Sequence, residues 1–347
     1  MPVIVNRPGP WAHRDLTAGG TQFHAALAGH EELPSAANTD AQDAGPAKPL
    51  ILLVHGFPEC WWAWRHVIGP LAEAGHRVAA ADLRGFGGSD RPPSGYDLVT
   101  LASDMAAVVR ALGHERAIVI GAGLGGQVAW ALANQEPTMT VAIVPVGAPH
   151  PLALRSLRGR VVSGAVVQYL WLKTPMLPER SLRTTSGIDR LLRSWAGPRT
   201  KQAVTESAGY YAALLARPGA AHSALETVRR AALSREEIAC LNTPAEVPVM
   251  SVQGELDPVQ PAQAYARDVH HVAGHLRQVT VRDAGHFPHE EAPEQFIDAL
   301  LPFLTEVEVW APGGQPGSRH ALYGDDADDR YATRALVSPL PRGLRVG

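Results

Sequence analysis

The chain has 347 residues, long enough for two ordinary domains or for one large α/β domain carrying an insertion. Lys plus Arg (31) against Asp plus Glu (34) leaves a net charge of −3 without basic clusters, which argues against nucleic acid or an anionic membrane as the main partner. With 46% hydrophobic and 19% charged residues the chain can bury a sizeable core, so global disorder is excluded. Its two cysteines, Cys60 and Cys240, make no disulfide framework, and no Cys/His cluster suggests a metal; neither metal nor cofactor is expected.

The opening MPVIVNRPGPW lacks the basic and apolar regions of a signal peptide, so the expected address is cytoplasmic. Two strand-like segments, 12–16 and 21–27, flank the turn signal Ala18-Gly19-Gly20, and 29–48 reads as an exposed loop. A regular alternation follows: strand 50–54, helix 60–74, strand 77–82, helix 97–112, strand 117–121, helix 125–134 and strand 140–146. Strands and helices at this spacing predict a mostly parallel central sheet with helices on both faces. Residues 117–135 carry no charge, but their five glycines and the flanking Glu115, Arg116 and Glu136 favour a buried strand turning into a buried helix over a membrane span.

Beyond Pro149-His150-Pro151 the pattern becomes helical, punctuated by Pro175, Pro178, Pro198 and Pro218, until strand 247–253, helix 260–270, strand 276–282 and helix 293–305 restore the alternation. The expected organisation is an α/β core of 1–151 and 237–308, an inserted helical lid of 152–236 between the sixth and seventh strands, and an irregular tail of 309–347. Within that tail only 333–340 reads as a short docking segment.

Four segments carry a resemblance. His55-Gly56-Phe57-Pro58-Glu59 followed by Cys60-Trp61-Trp62-Ala63-Trp64-Arg65, then Asp82-Leu83-Arg84-Gly85-Phe86-Gly87-Gly88-Ser89-Asp90, then Asp283-Ala284-Gly285-His286-Phe287-Pro288-His289-Glu290-Glu291, and the earlier Trp11-Ala12-His13-Arg14-Asp15, all resemble epoxide hydrolases, a sister group of the haloalkane dehalogenases. The resemblance spans about residues 11–305 in the family's order and implies the α/β-hydrolase fold. It implies that His286 is a general base and Asp257 the carboxylate that orients it, although Asp257 also reads as an N-cap of the helix near Val259. It further implies that the backbone N–H groups of Phe57 and Leu124 receive an oxyanion, and that Tyr169, Tyr211 and Trp61 belong to the substrate pocket. Phe57-Pro58 is a candidate cis bond, and Cys60 is expected to be a small packed residue, not a nucleophile.

One position departs from the family. The elbow should read G-x-Nu-x-G with Asp or Ser in the middle, yet Gly121-Ala122-Gly123-Leu124-Gly125-Gly126 places Gly123 there. Glycine keeps the turn and deletes the attacking atom, so no ordinary covalent step is available. Three readings follow: a binding or scaffolding protein that has lost covalent catalysis, a noncovalent hydrolase or lyase run by the His286–Asp257 dyad, or a dinucleotide site, since Gly121, Gly123 and Gly126 also satisfy G-x-G-x-x-G. The last lacks the acidic residue expected at the end of the next strand, which closes Val146-Gly147-Ala148-Pro149. The expected partner is a small apolar molecule under the lid, with a protein partner left open.

Overall fold

The computed structural model describes residues 4–29, 48–155, 164–230 and 233–310. The loop expected at 29–48 falls almost wholly outside them, as does the tail with its candidate segment 333–340.

Eight strands form one sheet in the order β1-β2-β4-β3-β5-β6-β7-β8. β1 (Ala12–Ala18) and β2 (Thr21–Ala28) make an antiparallel hairpin at one edge, and β2 meets β4 (Val78–Ala81) antiparallel. β3 (Leu50–Val54), β4, β5 (Ala117–Ala122), β6 (Thr140–Val146), β7 (Val249–Gly254) and β8 (Leu276–Val281) run parallel. β3, β4, β5 and β6 are buried at every position, as an apolar run covered on both faces requires. α1 (Arg65–Glu73), α2 (Leu98–Ala111) and α3 (Leu124–Gln135) fill the early crossovers. The apolar stretch 117–135 is therefore β5 and α3, and no helix among the described residues is long and apolar enough to cross a membrane.

Between β6 and β7 the chain is helical: α4 (Pro151–Arg155), α5 (Gly164–Leu172), α6 (Leu177–Leu182), α7 (Thr185–Trp195), α8 (Lys201–Thr205), α9 (Ala208–Leu215), α10 (Ala220–Arg229) and α11 (Arg235–Leu241). α7 shows why the insert packs. Thr184 caps its first turn by accepting from Gly187 N–H at 3.1 Å, and Ile188, Leu191, Leu192 and Trp195 form its buried stripe. At its far end the insert is tied to the core by Glu237, which accepts from Leu98 N–H at 2.8 Å and pairs with Arg230. Although burial opposes ionisation, these donors hold the Glu237 carboxyl down to about 2.

Two predicted helices need correction. The segment 60–74 opens with a 3₁₀ turn, Trp61–Trp64, before α1 begins. The segment 260–270 is broken into α12 (Ala262–Tyr265) and a 3₁₀ turn, Asp268–His271, because Pro261 stands at the N-cap and Asp268 turns its side chain inward to Ser251 Oγ and the His150 N–H. α13 (Pro288–Glu291) and α14 (Pro293–Trp310) complete the described chain.

Strand register places the chemistry. Val54 pairs with Gly121, Ala122 with Val146, Val146 with Val252, and Gly254 with Val281. The segments that leave the carboxyl ends of β3, β5, β6, β7 and β8 therefore emerge side by side. That edge is where open parallel sheets bind ligands.

Candidate functional site

Gly123 forms the turn between β5 and α3, with φ +48° and ψ −110°. An L-residue adopts this conformation only under strain of order 1–3 kcal/mol. Its N–H donates to Val146 O at 2.8 Å, and its carbonyl starts the helix by accepting from Gln127 N–H at 3.1 Å. A Cβ built on Gly123 would lie 3.5 Å from His286 Nε2 and 3.7 Å from Gly56 Cα, both ordinary contacts.

His286 follows β8 and is only 7% exposed. Its backbone N–H donates to Trp195 O at 2.9 Å, which links it to the insert. Its ring packs on Gly147, where φ is +61° and an added Cβ would sit 2.7 Å from His286 O and 3.3 Å from its Nδ1. A side chain there would push the imidazole away, so β6 ends on glycine for a steric reason. Nδ1 lies 3.0 Å from Asp257 Oδ2. Burial alone would lower the imidazole's proton affinity, but the facing Asp257 carboxylate overrides it and holds the group above the ordinary histidine range.

Asp257 faces His286 and braces the following loop at once, but it is not the helix N-cap expected of it, since α12 starts after Pro261. While Oδ2 faces His286, Oδ1 accepts from Val259 N–H at 2.7 Å and Gln260 N–H at 3.1 Å. The loop N–H groups fix the carboxylate, and the carboxylate fixes the ring.

The cleft above these residues has a volume of about 100 Å³ and is lined by Gly56, Phe57, Gly123, Leu124, Trp195 and His286, with Glu59, Gln127, Tyr169, Val228, Gln260 and Phe287 around them. The N–H groups of Phe57 and Leu124 donate to no partner among the described residues, and both residues border the cleft. The Phe57-Pro58 bond is cis, as expected.

Not every expected residue gathers here. Trp61 is fully buried and donates to Val5 O at 3.3 Å, its ring packed edge-on to Trp11, His13 and Trp62; it belongs to the core beneath the hairpin. Tyr211 is buried with its hydroxyl 3.3 Å from Glu290 Oε1, and it lines a separate small cavity with Pro58, Cys60 and Phe86. Tyr169 does border the main cleft. Cys60 is buried, and burial pushes its thiol well above the usual range, which suits packing and not attack.

Sequence reasoning missed three residues. Trp195 packs its indole edge-on to His286 with ring centres 5.6 Å apart, a contact across most of the insert that no local pattern announces. Glu59 closes the expected motif, yet its role emerges only in space: Oε2 accepts from Gly56 N–H at 3.0 Å, and burial raises its carboxyl. Glu291 accepts from Gly285 N–H at 2.8 Å, Phe287 N–H at 2.9 Å and Gly197 N–H at 2.7 Å, and also from the Thr200 hydroxyl. One carboxylate thus clasps both neighbours of His286 to the insert.

Behind Glu59, the side chains of His289 and Glu290 bring ligand atoms within 4.8 Å of one another, the one trio among the described residues with metal-like spacing. Arg65 already pairs with Glu290 Oε2, and its positive charge opposes a cation. Burial first, with the neighbouring Glu59 carboxyl adding to it, outweighs Arg65 and pushes Glu290 up to about 8.

A central parallel sheet, an acid-oriented histidine after the last strand and a strained strand-to-helix turn define a protein class, and a sequence profile of the alpha/beta hydrolase fold matches residues 49–293. The chain belongs to that family. Among its relatives, AB hydrolase superfamily protein YfhM of Bacillus subtilis is 30% identical over 297 residues, covering 83% of this chain and 96% of that protein. Epoxide hydrolase A of Mycobacterium tuberculosis is 29% identical over 76% of this chain and 92% of its own. The crystal structure of epoxide hydrolase A from Mycobacterium thermoresistibile superposes with a TM-score of 0.67 at 25% identity, covering 85% of this chain and 98% of that one.

Proposed function

We propose that this protein is an epoxide-hydrolase-like member of the family that has given up the covalent route and retains a ligand-binding cleft. The observation that carries this reading is Gly123: at the turn where the family resemblance puts the attacking carboxylate, the chain offers only backbone. Loss of a nucleophile from a catalytic triad lowers kcat by about 10⁶, leaving a residual rate too slow for metabolic turnover. Among the described residues neither hydroxyl nor thiol bonds His286 Nε2 in its stead, and the nearby Glu59 commits Oε2 to Gly56 N–H.

A second reading draws on the intact dyad. His286, oriented by Asp257 and with Nε2 unbonded, has the geometry of a general base for water or for an acidic C–H of a bound ligand. The unbonded N–H groups of Phe57 and Leu124 would then receive the developing negative oxygen. Dinucleotide binding is disfavoured, because the glycines are consumed by packing. Added Cβ atoms would lie 2.1 Å from Gly125 O at Gly121, 2.1 Å from Val54 O at Gly125 and 2.4 Å from Ala148 Cβ at Gly126.

Turnover assays on epoxides, haloalkanes and p-nitrophenyl esters, with His286→Ala in parallel, test the proposal. Rates at the level of buffer for both proteins support the binding reading. Turnover that vanishes with His286 supports the dyad, and turnover that survives its loss contradicts both.

A further inference from the structure

We infer that the space beside Gly123 is a seat for the carboxylate of a small organic acid, whose apolar body lies in the cleft between Phe57, Trp195, Tyr169, Val228 and Phe287. This inference rests on the ligand-binding reading above and names the chemical class of the ligand.

Three observations converge on that one place. A Cβ at Gly123 would point toward His286 Nε2 at 3.5 Å and meet only Gly56 Cα besides, so there is room where a side-chain carboxylate would begin. His286 is more than nine-tenths buried, its Nδ1 is committed to Asp257, and its Nε2 borders the cleft without a hydrogen-bond partner. Phe57 and Leu124 border the same space with unbonded N–H groups, Leu124 at the start of the twelve-residue α3, whose dipole favours negative charge there.

A carboxylate supplied by a ligand meets this arrangement as a side chain would, accepting from His286 Nε2–H and from the backbone N–H groups. A neutral amide of the same shape offers one weaker acceptor oxygen and brings an NH₂ group that opposes the imidazole N–H. The seat therefore separates acid from amide by charge, while the cleft grips both by apolar contact.

Calorimetry of the full chain with hexanoate and benzoate, against hexanamide and benzamide, tests this directly. Each acid is expected to bind at least tenfold more tightly than its amide. In Gly123→Asp the new carboxylate fills the seat, so acid binding falls at least tenfold. His286→Gln, which leaves the turn untouched, is expected to lower acid binding likewise. Acids that fail to bind, that bind no better than amides, or that bind undiminished in both variants overturn the seat. Amide binding equal to acid binding would do so while leaving the ligand-binding reading intact; that reading fails instead on turnover by the unaltered protein.

Discussion

Gly123 and His286 face one another across a gap that one side chain would fill, with the Cβ position of Gly123 3.5 Å from Nε2 of His286. The base, its orienting acid and the turn all persist around that gap. In consequence, each part can be tested by restoring or removing one group.

The Asp257–His286 contact predicts how the imidazole titrates. With Asp257→Asn the bonds from the Val259 and Gln260 N–H groups are preserved, since the amide oxygen can still accept, but the negative charge is gone. Burial, the largest influence, is then opposed only by the weaker pull of Glu59 and Glu291, and the His286 midpoint falls from above the ordinary value to below about 6.5. Imidazole NMR across pH 4–9 reads it. A midpoint that stays raised would assign the effect to Glu59 or Glu291.

Glu291→Ala removes the one acceptor shared by Gly197, Gly285, Phe287 and Thr200. Donors left unpaired in a buried site cost about 1–3 kcal/mol, more where the lost acceptor was charged, so the unfolding midpoint in urea should fall by the equivalent of about 3 kcal/mol. Because Gly285 and Phe287 flank His286, its ring resonances should broaden or shift too. Unchanged stability would mean the clasp is replaced by water at no cost.

Acidification should weaken the fold through His150. This ring is buried, stacked on His271 at 3.8 Å and set edge-on to Trp130. Burial first, and the neighbouring His271 second, lower it from 6.5 to about 3. Between those values the unfolded chain binds the proton and the folded chain does not, so stability present above pH 6.5 is lost as pH falls. One such group contributes up to about 1.4 kcal/mol per pH unit. His150→Phe keeps a ring in the stack and should flatten the stability profile between pH 6.5 and 4; an unchanged slope would clear His150 of the effect.

The parallel sheet was legible because its strands are apolar runs, as in Leu50–Val54 and Ala117–Ala122, and because helices of amphipathic period separate them. His286, Asp257 and Gly123 were legible because each sits at a strand's carboxyl end within a short motif. Trp61 misled for an instructive reason: a tryptophan beside a motif reads as pocket wall, but in space it turns under the hairpin to Val5 and Trp11. Tyr211 similarly spends its hydroxyl on Glu290, a residue 79 positions away. Trp195 and Glu291 act across contacts between the insert and the core, which no local period encodes.

The most direct measurement is intact-protein mass spectrometry after incubation with an epoxide such as styrene oxide, on the unaltered chain and on Gly123→Asp. At φ +48° the aspartate adds strain of about 1–3 kcal/mol, but its Cβ meets no contact closer than 3.5 Å, so the variant should fold with a lowered melting temperature. The account predicts no adduct on the unaltered protein at residues 121–126 and an epoxide-mass ester on Asp at position 123 in the variant. A covalent ester formed by the unaltered protein, on Glu59 or any other residue of the cleft, would contradict it.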